Sequence, residues 1–274
     1  MAHPQIAVFA RMADGGARPV RKIEGQSTLL GRTMHAIAYD EVHDEILVPI
    51  PLPQAILTFP GDANGEQRPR RVIQGSLTQL TDPQRLAVDP VHDEIFVPIR
   101  TKVLVFDRRA NGNVAPIRVL EGPEGNVRSN ALAVDPVNNL LVLFAEPIVN
   151  GRAQPQLQIF ERTAQGRAAP LRAIGGPKSM VSDLGGPFSI LSATRKIVAS
   201  MNGALEEELA TPESFVGIWS LDASGDVPPQ YTLGGPHGIL QMVRGVTLNP
   251  KNKEVIVTDK RMNAVLTFSV PEIF

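Results

Sequence analysis

Residues 89–99 read DPVHDEIFVPI, and residues 40–50 read DEVHDEILVPI. A histidine beside several carboxylates suggests a catalytic or metal-binding cluster. The near-copy forty-nine residues earlier suggests a structural repeat instead, and repeats are to be sought before any motif is interpreted. Working outward, the motif Ala-x-Gly-x-x-x-Pro recurs without gaps from Ala13, Ala63, Ala110, Ala164 and Ala223. Each copy follows a short apolar run (IAVF, AILTF, VLVF, LQIF, GIWS) and precedes another (VRKI, RRVI, IRVL, LRAI, QYTL). A third run (AIAYD, LAVDP, LAVDP, SILSA, VTLNP) and a fourth (EILVPI, EIFVPI, LLVLFA, KIVAS, EVIVTD) complete every unit.

Four short apolar strands between turn residues make one blade of a β-propeller. Asp40, Asp89, Asp135, Ser192 and Asn249 hold the same place, with steps of 49, 46, 57 and 57 residues. The chain of 274 residues carries 24 Pro and 23 Gly, enough for many turns, and is 43% hydrophobic, as strands buried on both faces require. No stretch sustains a 3.6-residue period, so little helix is expected. The expectation is an all-β fold: one β-propeller domain over residues 1–274, with five four-stranded blades. A sixth strand of the IAVF type, AVLTF at Ala264–Phe268, brings the expected total to twenty-one. Closure by mixed N- and C-terminal strands accounts for it, the hairpin Ile6–Ile23 joining the last blade. Six blades is the alternative, which leaves one blade with only two strands of its own.

In each Ala-x-Gly turn the Gly accepts positive φ, which lets two strands reverse tightly. Arg21, Arg71, Arg118 and Arg172 follow the prolines in four of the five copies and read as charges that blunt an outer edge. The formal net charge is −1, and no aromatic residues interleave with these arginines, so no nucleic-acid partner is expected. VHDE falls between the third and fourth strands, where later copies read VNNL, ATRK and PKNK. His43 and His92 therefore read as polar turn residues.

The segment GGPHGILQMVRGVTLNPKNKEVIVTDKRMNAVLTF, Gly234–Phe268, resembles the NHL-type repeat of β-propellers. The resemblance implies the propeller fold and, more weakly, functions ranging from protein and RNA binding to lyase and lactonase chemistry. The repeats here run 46 to 57 residues, longer than that family's usual forty or so. No motif matches gluconolactonase-type propellers position by position, so no catalytic role carries over.

A site is expected at the mouth of the central channel, on the face where blades are joined. His35, Arg85, Asn130 and Arg244 stand just before the innermost strands; Arg100, Glu146, Asn202 and Asp259 follow the EIxV strands. The connections Glu146–Pro155 and Asn202–Ser214 are longer than their counterparts, which marks the binding side of a repeat protein. His35, Arg85, Asn130, Arg244 and Arg100 are the candidate ligand-binding residues. Glu146, Asn202 and Asp259 are oxygen donors of the kind calcium or magnesium accepts, so a divalent cation is the cofactor this set would take. The triplet Glu206–Glu208 reads as a solvated loop.

With no cysteine there is no thiol nucleophile, thiolate zinc site or disulfide. P-loop, nucleophile-elbow and HExxH motifs are absent as well. No signal peptide or membrane-spanning run is read, which leaves the compartment open. The expected function is a binding module for a protein or small polar ligand on the long-loop face. The alternative is a hydrolase or lyase acting on a lactone or sugar acid with a divalent ion.

Overall fold

The computed structural model describes residues 4–125, 127–202, 214–235 and 238–274. The chain opens with a hairpin of β1 (Gln5–Val8) and β2 (Arg21–Glu24). Blade 1 is β3 (Ala38–Asp40), β4 (Glu45–Ile50), β5 (Ala55–Pro60) and β6 (Arg71–Gln74). Blade 2 is β7 (Ala87–Asp89), β8 (Glu94–Pro98), β9 (Val103–Asp107) and β10 (Arg118–Leu120). Blade 3 begins with β11 (Ser129–Asp135) and β12 (Leu140–Ala145), passes through a small hairpin of β13 (Ile148–Val149) and β14 (Arg152–Ala153), and ends with β15 (Gln156–Glu161) and β16 (Arg172–Gly175). Blade 4 is β17 (Ser189–Leu191), β18 (Lys196–Met201), β19 (Phe215–Ser220) and β20 (Tyr231–Gly234). Blade 5 has β21 (Val243–Asn249), β22 (Glu254–Asp259) and β23 (Ala264–Ser269).

The chain is an all-β, five-bladed propeller whose helical content among the described residues is limited to 3-10 turns. Four blades have the expected four antiparallel strands; the fifth has three of its own, and β1–β2 is a two-stranded sheet. The two strands beyond the expected twenty-one are β13 and β14, an insertion in blade 3. Two compact units can be distinguished, Met1–Ile99 with Leu104–Arg118, and Arg100–Val103 with Val119–Phe274. In the first, Ile46, Val48 and Leu57 pack with Phe59 and Ile23. In the second, Val142, Phe144 and Ile159 join Ile218 and Trp219 in a larger core.

The repeated motif has a tertiary purpose beyond the turn. In all five copies the Ala N–H closes a turn on the carbonyl three residues back, at 2.9 Å for Ala13 and 3.0 Å for Ala63. Gly65, Gly112, Gly166 and Gly225, all at positive φ, then bond the outer strand of the preceding sheet in both directions. Gly65 donates to Lys22 O at 2.7 Å and accepts from Glu24 N at 3.1 Å; Gly112 does the same with Val72 and Gln74 at 2.6 and 3.1 Å. The next residue extends the clasp where it has an acceptor. Glu66, Asn113 and Asp226 take the N–H of Ser27, Leu77 and Ser179 in the neighbouring 3-10 turns. The motif therefore joins consecutive sheets as well as consecutive strands.

Burial follows position along the chain. Strands β4 and β5 are buried at every residue, as a sheet covered on both faces demands. Strand β23 alternates between half-buried and exposed, the pattern of a sheet with one open face. Inside blade 4 the Trp219 indole lies over Gly217 and donates to Ser179 O at 3.1 Å; a Cβ on Gly217 would fall 2.1 Å from the ring.

Candidate functional site

The VHDE turn is built around a buried aspartate. Asp40 has no exposed surface; its Oδ1 accepts from Val42 and His43 N–H at 3.0 Å, and its Oδ2 pairs with His43 Nδ1 at 2.9 Å. Asp89 and His92 repeat this arrangement at 2.8 Å. In the third copy Asn138 Nδ2 donates to Asp135 Oδ2 at 2.7 Å, the amide taking the place of the imidazole. The histidines are structural turn residues, as expected, but what the turn selects is a donor for a buried aspartate.

The arginines after the prolines also differ from their reading as edge charges. Arg71 donates to Glu45 at 2.5 Å, and Arg118 makes a bidentate pair with Glu94 at 2.5 and 2.9 Å. Arg108 adds a second cation to Glu45 at 2.9 Å and binds Asp93 at 2.7 Å. The Arg108 guanidinium accordingly holds the Asp93 carboxyl below the usual aspartate range, against the opposing effect of burial. These guanidiniums turn inward because the carboxylates Glu45 and Glu94, each the first residue of its strand, are buried and need a partner.

The other ends of the strands carry the predicted site. In the first unit, His35 is exposed before β3 and Arg85 is half-buried before β7. In the second unit, Asn130 and Arg244 hold matching positions, and each is the extra residue of a β-bulge: the register slips between Ser129 and Ala131 and again between Val243 and Gly245. A bulge re-aims a side chain out of the ladder, and both residues are exposed. Arg100, with φ of 69°, accepts the Ser129 N–H at 2.9 Å and stands beside the first bulge. Sequence spacing placed Asn130 and Arg244 at equivalent sites; it gave no sign of the bulges, which are a property of strand pairing.

The three oxygen donors divide. Burial would push the Asp259 carboxyl up, but backbone N–H groups of Met262, Gln241, Met242 and Arg261 surround it and hold it below the usual range. Its Oδ2 accepts from Gln241 and Met242 at 2.7 and 3.0 Å, its Oδ1 from Arg261 and Met262 at 3.0 Å. Those bonds fasten the loop before β21 to the turn after β22. Glu146 is half-buried, and its backbone carbonyl takes the Arg128 Nε–H at 2.7 Å. Asn202 is 8% exposed, and its side-chain nitrogen has no partner among the described residues.

A proton count orients that amide. Ser214 Oγ lies 2.8 Å from the Gln241 carbonyl and 3.2 Å from the Asn202 amide oxygen, yet a hydroxyl has one hydrogen to give. Donating to Gln241 leaves Ser214 as acceptor, and the amide turned over donates its NH2 to Ser214. The Asn202 amide oxygen is then buried, with no partner among the described residues. Ser214 and Gln241 thus link Asn202 to Asp259 in one hydrogen-bonded run, and sequence spacing did not identify either linker. Among the described residues no group of three or more histidine, aspartate or glutamate side chains is placed to hold a metal ion. Glu206–Glu208 lie outside the described residues.

The longer connection of blade 3 is described in full. Ile148 pairs with Ala153 and Val149 with Arg152, and all four are exposed. Two β-branched apolar side chains therefore project on a miniature hairpin directly after Glu146. Among the described residues no helix is long and apolar enough to cross a membrane.

No protein-family model and no curated protein sequence matches this chain. Solved structures do. The chain is similar to the WD40 β-propeller domain of Doa1, with 13% identity and a TM-score of 0.54 over 87% of this chain and 79% of that one. It is similar to a chain of the Kuenenia stuttgartiensis hydrazine synthase, at 11% identity and a TM-score of 0.55, covering 86% and 76%. A chain of the nidogen/laminin complex matches 98% of this chain and 87% of its own length, at 12% identity and a TM-score of 0.57. At these identities the likeness shows the fold: the chain is a β-propeller.

Proposed function

We propose that the protein is a binding module that engages a protein partner through the strand ends carrying the inter-blade connections, with the β13–β14 hairpin as the leading contact. The observation that carries this reading is the exposure of Ile148 and Val149, 48% and 39%, on a two-residue ladder inserted where blades 1, 2 and 5 have a short turn. Exposed β-branched residues on a projecting hairpin gain more from a partner than from water, at roughly 25 cal/mol per Å² of apolar surface covered. Exposed Arg152 and half-buried Glu146 supply polar groups around that centre, as interface rims do. Propellers commonly serve as protein-binding scaffolds, and the similarity to a chain of the nidogen/laminin complex agrees with a protein partner. The NHL-like repeat at Gly234–Phe268 is compatible with the same use.

The test is affinity capture with the wild-type protein and with an Ile148→Asp, Val149→Asp double variant, each shown by circular dichroism to be folded. Partners retained by the wild type and lost by the variant support the reading; an unchanged set refutes it. A second reading rests on Asn202, whose buried, unpartnered amide offers one oxygen to a small polar ligand or a calcium or magnesium ion, as a hydrolase or lyase of lactones or sugar acids would use. Thermal stabilisation by either ion, abolished in Asn202→Ala, would favour it, because binding to the folded state raises apparent stability by mass action.

A further inference from the structure

The first unit holds a groove of about 680 Å³ beside β1, walled by Ile6, Val8 and Phe9 on one side and Ile37, Tyr39 and Ile46 on the other. Phe9, Ile37 and Tyr39 are each about half exposed. Among the described residues strand β1 is ladder-paired on one side only, with β2, whereas its counterparts β5, β9, β15 and β19 each lie between two strands. Val20 N–H donates to Val8 O at 2.8 Å, so Val8 and Ile6 turn their backbone groups toward β2. Gln5, Ala7 and Phe9 alternate with them and turn theirs to the open side. That edge has no charged residue and no proline between Gln5 and Phe9, so nothing in its sequence blunts it.

Charge supplies the second observation. In blades 1 and 2 the strand occupying this position begins with a glutamate, and the arginine that opens the outer strand holds it: Glu45 with Arg71, Glu94 with Arg118. Arg21 is the same arginine on β2. It donates to the Ala63 carbonyl at 3.0 Å and meets no carboxylate among the described residues. Asp44, also in the groove, is engaged by the Tyr39 hydroxyl at 2.8 Å, and with Asp62 it makes that wall unfavourable for a second acid.

We infer that β1 is the acceptor for an extended segment of a partner protein that begins with one carboxylate and continues with apolar, largely β-branched residues. The segment adds antiparallel to β1, its carboxylate reaches Arg21, and its apolar side chains fill the groove against Tyr39 and Ile46. Strand addition of this kind takes affinity from the main chain and specificity from alternate side chains. The groove and the β13–β14 hairpin share no residue, so either reading can fail without the other.

The probe is a fluorescent peptide with the sequence of Glu45–Ile50, EILVPI, on a glycine-serine linker, titrated by anisotropy. The expected result is saturable binding that weakens about tenfold or more when the peptide glutamate becomes lysine, with Arg21→Glu reversing the preference, since close charge pairs carry couplings of this size or larger. Ala7→Pro removes an open-edge donor and should abolish binding while β1–β2 stays paired; if that variant fails to fold, the charge swap alone decides. Absence of binding overturns the inference. So does slow hydrogen exchange at Ala7 and Phe9 in the free protein, which would mean the chain covers its own edge. A dimer that Ala7→Pro dissociates also overturns it, because the occupant is then a second copy.

Discussion

Residues 5–24 and 55–74 fold into one hairpin twice. Gln5 faces Glu24 and Val8 faces Arg21; fifty residues on, Ala55 faces Gln74 and Thr58 faces Arg71. The surroundings differ. The second copy has β4 on its other edge, and Arg71 on a glutamate; the first has a groove and Arg21 on a backbone carbonyl. Strand sequence and turn chemistry thus suffice to build the hairpin. Burial and ion pairing come from the neighbouring strand.

The largest expected difference between the copies lies at Phe59 and Phe9, which hold the same place. Phe59 is fully buried and Phe9 is 49% exposed. Phe59→Ala should cost about 3–5 kcal/mol, the range for deleting a buried aromatic ring. Phe9→Ala should cost about 1 kcal/mol, because half the ring is already in water. Denaturant midpoints measure both; equal losses would mean that β1 is covered in solution.

Next come the paired arginines. Arg71→Ala removes a charged hydrogen bond from buried Glu45 and should cost about 1.5–3 kcal/mol, with Arg108 still in place to limit the loss. Arg21→Ala should stay within about 0.5 kcal/mol. A comparable loss at Arg21 would reveal a carboxylate partner for it and remove the charge argument for a strand acceptor.

Acid should weaken the ion pair between Arg108 and Asp93. The Asp93 carboxyl is held below the ordinary aspartate range chiefly by its bond to Arg108. A depressed folded-state value means that the stabilisation is present above the unfolded aspartate's pKa and is lost as pH falls through the folded one. Asp93→Asn should therefore lower stability at neutral pH and flatten the acid limb of the stability curve. An acid limb identical to that of the wild type would show that Asp93 does not contribute to it.

The blades were legible in the sequence because strand period, turn residues and repeat spacing are all local. Asn130 and Arg244 could be aligned for the same reason. The Gly65-type clasp could not, because a glycine chosen for positive φ looks the same whether or not its N–H and C=O also bind the next sheet. The inward ion pairs were missed because their partners, such as Arg108 and Glu45, are sixty-three residues apart in sequence. Asp259 shows the converse limit. Its residue type suits a cation, but four backbone N–H groups occupy its oxygens, and only the folded loops supply them.

The smallest expected effect concerns the two histidines. Asn138 shows that an amide can do the work of the imidazole, donating to the buried aspartate of its turn at 2.7 Å, against 2.9 Å for His43 and 2.8 Å for His92. His92→Asn should therefore change stability by no more than about 0.5 kcal/mol, the spread of ordinary surface substitutions. His43→Asn should cost slightly more, because His43 Nε2 also stands 3.8 Å from Asp93, beyond the reach of the shorter asparagine. Alanine at either position is the sharper control. It removes a hydrogen bond to a fully buried aspartate, and a hydrogen bond to a charged group contributes about 1.5–3 kcal/mol. An Asn variant as damaging as the Ala variant would mean that the imidazole, and not a hydrogen-bond donor in general, is what Asp40 and Asp89 require.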